Sequence, residues 1–441
     1  MRDYLTILGA GLAGSEAAWQ AAERGVSVVL YEMRPVKPTP VHKTDHCAEL
    51  VCSNSLGNNQ SPSAPHLLKE ELRKFNSLVI DAGDTHAVPA GAALAVDREL
   101  FSKKITEQLL KHPNITLMRE EVTEIPSEGP VIVATGPLTS PRLSESISRL
   151  IGQEYLYFYD AISPIVDANT IDYDKTFFAS RYDKGTDDYL NCPLNEGQYY
   201  SLVNELKNGE KVPFKSFEKP IYFEGCMPVE ELAMRGDKTL AFGPLKPVGL
   251  LHPETKEQFY AVVQLRHENK EGTAFNLVGF QTKLTYPEQK RVIRLIPGLE
   301  NAEFFRFGAI HRNTYINAPD VLSCELDLKK NSGIYFAGQI IGVEGYVESV
   351  SMGLLAALSA VKRIKGEVYS TPPVDTALGS LLKYVTETRR QSFQPMNINY
   401  GLFQVHEMKI RNKRERNKKI ELKALDSLSQ WMETINGELV K

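Results

Sequence analysis

The stretch "CAELVCSNSL", Cys47 to Leu56, carries two thiols five positions apart and then three small polar residues. Such a pair allows two chemistries: a disulfide that cycles electrons, or a single thiolate that attacks an electrophilic carbon. The four residues between them, Ala48 to Val51, form a helix-compatible run. Residues five apart on a helix stand about 140° apart around its axis, poorly placed to bridge. The spacing disfavours the disulfide. What remains is Cys52 beside "SNS", whose polar groups could hold a thiolate or a substrate carbonyl. The bland alternative is inert core filling, the commoner fate of a lone cysteine. Cys192 in "LNCPLN" and Cys324 in "LSCEL" read as structural thiols for that reason.

The elements that must position Cys52 begin at the N-terminus. An apolar run from Tyr4 to Leu8 leads into "GAGLAG", a helical stretch follows from Ser15 to Arg24, Gly25 stops it, and "VSVVLYE" reads as a buried strand ending in Glu32. This is a βαβ unit. Backbone N–H groups reach a pyrophosphate only where side chains do not intervene, which Gly9, Gly11 and Gly14 permit at a tight turn entering a helix. Glu32, 23 residues beyond Gly9, is placed to accept from an adenosine ribose hydroxyl. The expected cofactor-binding set is Gly9, Ala10, Gly11, Leu12, Ala13, Gly14, Glu32 and Arg34, with Thr135, Gly136, Gly338 and Gln339 from two later segments.

Those later segments favour FAD over NAD. "PVIVATG" (Pro130 to Gly136) reads as another core strand. "GIYFAGQIIGVEGYVESVSMGLLAALSAVKRIKG" (Gly333 to Gly366) reads as a strand, a glycine-rich turn and a long helix whose dipole could face the flavin ring. No second G-x-G-x-x-G occurs. The intervening region mixes aromatics, prolines and charges with strand-like runs such as "FYAVVQL" and "FNLVGFQ". The expected fold class is α/β: an FAD-binding Rossmann-like domain of the glutathione-reductase type with an inserted α+β domain. The expected boundaries are 1–150 and 300–441 for the two parts of the FAD domain and 151–299 for the insertion.

The 441 residues are 42% hydrophobic and 24% charged, an ordinary globular composition. Five scattered cysteines and no basic apolar leader point to a reducing, cytoplasmic setting without disulfides or membrane spans. The spacing of His42, His46, His66 and His86 is too irregular for a metal site, and no C-x-x-C exists, so no metal is expected. His311 in "GAIHRNTYINAP" could contact flavin or substrate, or be a hydrogen-bonded core histidine. A formal net charge of −4 argues against indiscriminate nucleic-acid binding. Its distribution is uneven, however: "KIRNKRERNKK", Lys409 to Lys419, holds seven basic residues and one acidic. Such a run is either a solvated helix face or a phosphate-binding one.

Taken together, "GAGLAGSEAAWQAAERG", "AELVCSNSL", "VPAGAALAVDR", "YFYDAISPIV", "FEGCMPVE", "FGPLKPVGL" and "AGQIIGVEGYVES" resemble, in order and over nearly the whole chain, the folate- and FAD-dependent tRNA uracil-5-methyltransferases. The resemblance implies formation of 5-methyluridine in the tRNA T-loop, with 5,10-methylenetetrahydrofolate as carbon donor, FAD as reductant and NADPH or NADH renewing it. A thiol belongs to that chemistry because uracil C5 becomes nucleophilic only once a thiolate adds at C6. The family's motif cysteines match Cys52 and Cys226. The resemblance implies Cys226 as the nucleophile and Cys52 as a flavin-side thiol, with the base extruded into a cleft between the domains. It also turns the basic run, with Lys409, Arg411, Lys413 and Arg414, toward tRNA phosphates.

Two other readings stand beside it. Related FAD proteins modify the wobble uridine together with a GTPase partner, but they are considerably longer. A non-catalytic tRNA-binding factor retaining FAD would have little use for two cysteines beside polar loops. Oligomeric state is not evident from the sequence.

Overall fold

In a computed structural model the described residues are 4–39, 41–127, 129–183, 186–213, 222, 226–388, 393–404 and 410–437. The first half of the fold is a six-stranded sheet. Its central strands are Tyr4–Leu8, Ser27–Glu32, Ile115–Arg119, Val131–Val133 and Asn331–Phe336, all parallel, with Asp327–Leu328 antiparallel at one edge. Four of these strands come from the N-terminal third and one from residues 331–336, so a distant part of the chain completes the sheet. The central strands are near-continuous Val, Ile and Leu because both faces are covered.

Helix Leu12–Glu23 packs on one face against the long helix Tyr346–Lys365. Their approach is set by small residues. A Cβ at Gly353 would lie 2.2 Å from the Ala13 carbonyl oxygen, and one at Gly338 would lie 2.8 Å from Ala13 Cβ. Any larger side chain there would push the two helices apart and open the crossing that joins the two halves of the domain.

The second half is a six-stranded antiparallel sheet in the order Phe177–Phe178, Tyr189–Leu194, Ala261–His267, Ala274–Leu277, Ile165–Asp167, Phe304–Arg306. It packs around its own core with helix Glu196–Asn208. A two-stranded ribbon, Leu156–Ala161 against Ile310–Tyr315, carries the chain into this part and out again. The 299/300 boundary expected from the sequence falls just before strand Phe304–Arg306. Residues 304–306 pair with Ile165–Asp167 inside the second sheet, and the return strand runs to Tyr315. Helices Ala377–Glu387 and Lys413–Gly437 follow, the second lying against helix Ala64–Lys74 with Trp431 tilted on Phe75. Among the described residues no helix is long and apolar enough to cross a membrane.

Candidate active site

The glycine turn opens on a cleft with about 1070 Å³ of atom-free space. Gly9, Gly11, Leu12 and Ala13 line it from the first βα turn, Glu32 and Arg34 from the end of the second strand, Thr135 and Gly136 from the turn after strand Val131–Val133, and Gly338 and Gln339 from the late turn. Gly11 has φ −72° and caps helix Leu12–Glu23 without any side-chain hydrogen bond. A Cβ there would meet nothing within 4 Å. The fold itself has no need of glycine at this position. A side chain would fill the cleft and cover the uncapped N–H groups, so the turn fits a pyrophosphate.

Two expected members of the set stand elsewhere. Gly14 and Ala10 are not on the cleft wall. A Cβ on Gly14 would lie 1.8 Å from the Gly9 carbonyl oxygen, so this glycine serves the turn's own packing. Ala10 is buried, and its N–H donates to Glu32 Oε2 at 3.1 Å. That bond, with Arg34 Nε donating to Glu32 Oε1 at 2.8 Å, fixes the carboxylate at the cleft. Burial pushes the Glu32 carboxyl up, but the Arg34 guanidinium and the Ala10 and Arg34 N–H groups outweigh it and hold the group ionised. Arg34 is itself occupied by Glu49 and by the carbonyls of Thr44 and His46. Its part is to shape the wall.

The cleft continues into a second cavity, the two sharing Val51, Pro137, Leu138, Gln339 and Tyr346 on their walls. Cys52, Cys226, Asp160, His311, Asn313 and Glu344 line this second space. Both sulfurs and a carboxylate oxygen of Asp160 lie within 4.8 Å of one another. Among the described residues no histidine joins that grouping. Cys52 comes from the first domain, Asp160 from the ribbon and Cys226 from the inserted part, so three separate stretches converge.

Residues 47–52 are not helical, which corrects the expected run: they form an irregular loop in which Ala48 has φ +53°. Polar clamps position the loop. Arg98 donates to the Leu50 carbonyl at 2.5 Å and to that of Cys52 at 3.3 Å, and is paired with Glu268 at 3.0 Å. Arg306 donates to the Val51 carbonyl at 2.6 Å. Asn54 is also not free to hold a substrate. Its amide donates to the carbonyls of Val96 and His267, and its oxygen accepts from Arg266. It locks the loop to the second sheet. Arg98, Arg306, Tyr346 and Asp160 escaped the sequence reading, because a lone arginine, tyrosine or aspartate carries no spacing signal.

Cys47 is buried away from this cavity and donates its N–H to Thr106; burial pushes its thiol up to about 11. Cys192 is a core residue of strand Tyr189–Leu194, whereas Cys324 is exposed and not core filling. The Cys226 thiol is raised well above its ordinary value by its hydrogen bond with Cys52, by burial and by the nearby Asp160 charge. His311 is lowered to about 4 by burial and then by Arg306, so it is neutral, and its Nε2 has no partner. Arg411, Lys413 and Arg414 are exposed at the start of helix Lys413–Gly437, while Lys409 lies outside the described residues.

The chain matches the family model described as glucose inhibited division protein A over residues 4–368. It is 57% identical over 429 residues to "Methylenetetrahydrofolate--tRNA-(uracil-5-)-methyltransferase TrmFO" of Natranaerobius thermophilus, covering 97% of this chain and 99% of that one. It is 53% identical over 431 residues to the protein of the same name from Bacillus subtilis, with 98% and 99% covered. Among solved structures, Aquifex aeolicus GidA superposes with a TM-score of 0.70 at 18% identity, over 98% of this chain and 73% of that one, a likeness of fold. With near-complete coverage at more than half identity, the chain belongs to the glucose inhibited division protein A family and, within it, to the methylenetetrahydrofolate-dependent tRNA (uracil-5-)-methyltransferases.

Proposed function

We propose that this chain methylates uracil C5 in the T-loop of tRNA, using the one-carbon unit of 5,10-methylenetetrahydrofolate, FAD as reductant and NADPH or NADH to renew it. FAD, when bound, supplies the two electrons that take a carbon at the formaldehyde level to methyl. The chain's own residues do the rest. Gly9, Gly11 and the uncapped start of helix Leu12–Glu23 take the pyrophosphate, and Glu32 takes the adenosine ribose. The Cys226 sulfur adds to C6 of the extruded base and makes C5 nucleophilic. Cys52, on the flavin side of the same cavity, assists loss of the C5 proton.

One observation carries the reading: two thiols from distant stretches face each other in a cavity that opens directly from a dinucleotide cleft. The basic residues Arg411, Lys413 and Arg414 crowd the positive end of a helix, where they oppose its dipole. That arrangement does not favour the helix, and it supports a role in holding phosphates. Residues 151–299 and the strands up to Tyr315 would form the wall against which the T-loop docks.

The wobble-uridine reading is disfavoured by 57% identity, over nearly the full length of both chains, to a protein named as a uracil-5-methyltransferase. A non-catalytic factor is disfavoured by the converging thiols. The test is purified protein with FAD, unmodified tRNA, NADPH and methylenetetrahydrofolate isotopically labelled in its methylene group, followed by nucleoside analysis. Label in 5-methyluridine is expected. Label arriving only from S-adenosylmethionine, or only in the anticodon, would defeat the proposal.

A further inference from the structure

Asp160 is the carboxylate beside both sulfurs. The residue is 8% exposed, and Oδ1 has no hydrogen-bonding partner. Among the described residues the other buried carboxylates are occupied. Glu71 accepts from the N–H groups of Ala377 and Leu378, Glu230 from Thr282 and Lys283, and Glu348 from Ile398. Those groups tie elements together. Asp160 instead lines the cavity with Cys52 and Cys226, one of its carboxylate oxygens within 4.8 Å of both sulfurs. Its place is rigid, since its strand pairs in register with Ile310–Tyr315, His311 directly opposite.

We propose that Asp160 accepts the Sγ proton of Cys226 as that sulfur adds to C6 of the target uracil, an inference that rests on the nucleophile assignment above. The step balances. The S–H bond breaks with its proton passing to the carboxylate, the S–C6 bond forms, and the C5=C6 electron pair moves into an enolate on O4. When the C6–S bond later breaks, the proton returns to sulfur and the carboxylate is restored.

The electrostatics suit that task. The resting Cys226 thiol is held protonated by its bond with Cys52, by burial and by the Asp160 charge, so it needs a base at the moment of attack. Burial pushes Asp160 up to about 7, against the Cys226 thiol, the Ala161 N–H and Asn313. A base acts best when its pKa lies near the working pH. The titratable groups facing Asp160 are Cys52, Cys226, Glu344 and His311. Burial and the Asp160 charge raise Glu344, with Gln339 opposing, and His311 is neutral above about pH 4.

The experiment measures covalent adduct formation between the FAD-loaded enzyme and tRNA carrying 5-fluorouracil, as a function of pH. The wild-type rate should rise through about pH 7 and then level. Asp160→Asn should keep its flavin absorbance and its reduction by NADPH, form adduct about 10²-fold more slowly at pH 7.5, and lose the inflection near 7. Cys226 alkylation by iodoacetamide at pH 8.5 should instead become faster in Asp160→Asn, because removing the negative charge lowers the thiol's pKa. An unchanged adduct rate, or a slower one that keeps the inflection near 7, would overturn the proposal. Should Asp160→Asn fail to hold flavin, Asp160→Glu decides by the same profile: a displaced inflection supports the base, and a wild-type rate without any inflection overturns it. Adduct formation by Cys226→Ala would mark failure of the nucleophile assignment itself, a separate result.

Discussion

The backbone N–H of Cys52 donates to the Tyr346 hydroxyl at 2.8 Å, joining residues 294 positions apart in the chain. Tyr346 opens the long helix that completes the FAD domain, and burial pushes its hydroxyl up, so it remains a neutral acceptor and donor. With Arg98 and Arg306 on the carbonyls of Leu50 and Val51, this bond sets where the Cys52 sulfur points.

Loosening that clamp should slow chemistry without emptying the flavin cleft. Arg306→Leu leaves the Val51 carbonyl without its donor and lets the loop drift. An ångström of misplacement can cost about 10²-fold in rate. We expect methyl transfer to fall 10- to 10²-fold by that argument, with FAD absorbance and NADPH reduction close to wild type. Wild-type turnover in Arg306→Leu would show that the loop holds its shape unaided.

Two glycines three residues apart should fail in opposite ways. Gly11→Val has room, since a Cβ meets nothing within 4 Å, so the protein should fold and lose FAD. Gly14→Ala drives a Cβ to 1.8 Å from the Gly9 carbonyl oxygen, and the backbone must shift. Its cost should be at least about 1–3 kcal/mol, read as a lower melting temperature of the flavin-free protein. A Gly11→Val protein that keeps stoichiometric FAD would refute the cleft assignment.

The cysteines should separate cleanly. Cys226→Ala should retain reducible FAD and form no adduct with 5-fluorouracil tRNA, and Cys52→Ala should lose methylation with tRNA affinity largely kept. Cys47→Ala should remain active, because Cys47 is sealed in the core with Thr106. If a mild oxidant links any pair, peptide mapping should find Cys52 with Cys226, the two whose sulfurs lie within 4.8 Å. A Cys47 to Cys52 link, with both Ala variants equally inactive, would restore the redox-pair reading.

The tail is tested by salt. Replacing Arg411, Lys413 and Arg414 with Gln should weaken tRNA binding and flatten the log Kd against log salt slope by about one counterion per lost phosphate contact. Flavin reduction should be unaffected. An unchanged slope would leave these side chains as an ordinary solvated helix end.

The nucleotide half of the molecule was legible in the chain because its chemistry is local. A strand, Gly9, Gly11, a helix and Glu32 lie within 29 residues, and each is dictated by backbone geometry that sequence spacing records. Membership of the late "AGQ" turn in the same cleft was legible too, through the order of strand, glycine-rich turn and long helix. Within that half, a fingerprint alone does not separate a glycine that lines the cleft, such as Gly11, from one packed against its own turn, such as Gly14. The candidate catalytic constellation was legible only in part. Cys52 and Cys226 emerged through motif resemblance, but the loop around Cys52 reads as helix by propensity and is irregular in the fold. Tertiary hydrogen bonds from Arg98, Arg306 and Tyr346 outweigh the weak local preference there. That a sulfur at 52, a carboxylate at 160 and a sulfur at 226 occupy one cavity is decided by the ribbon and second sheet folding back on the first domain, a long-range closure that no local pattern encodes.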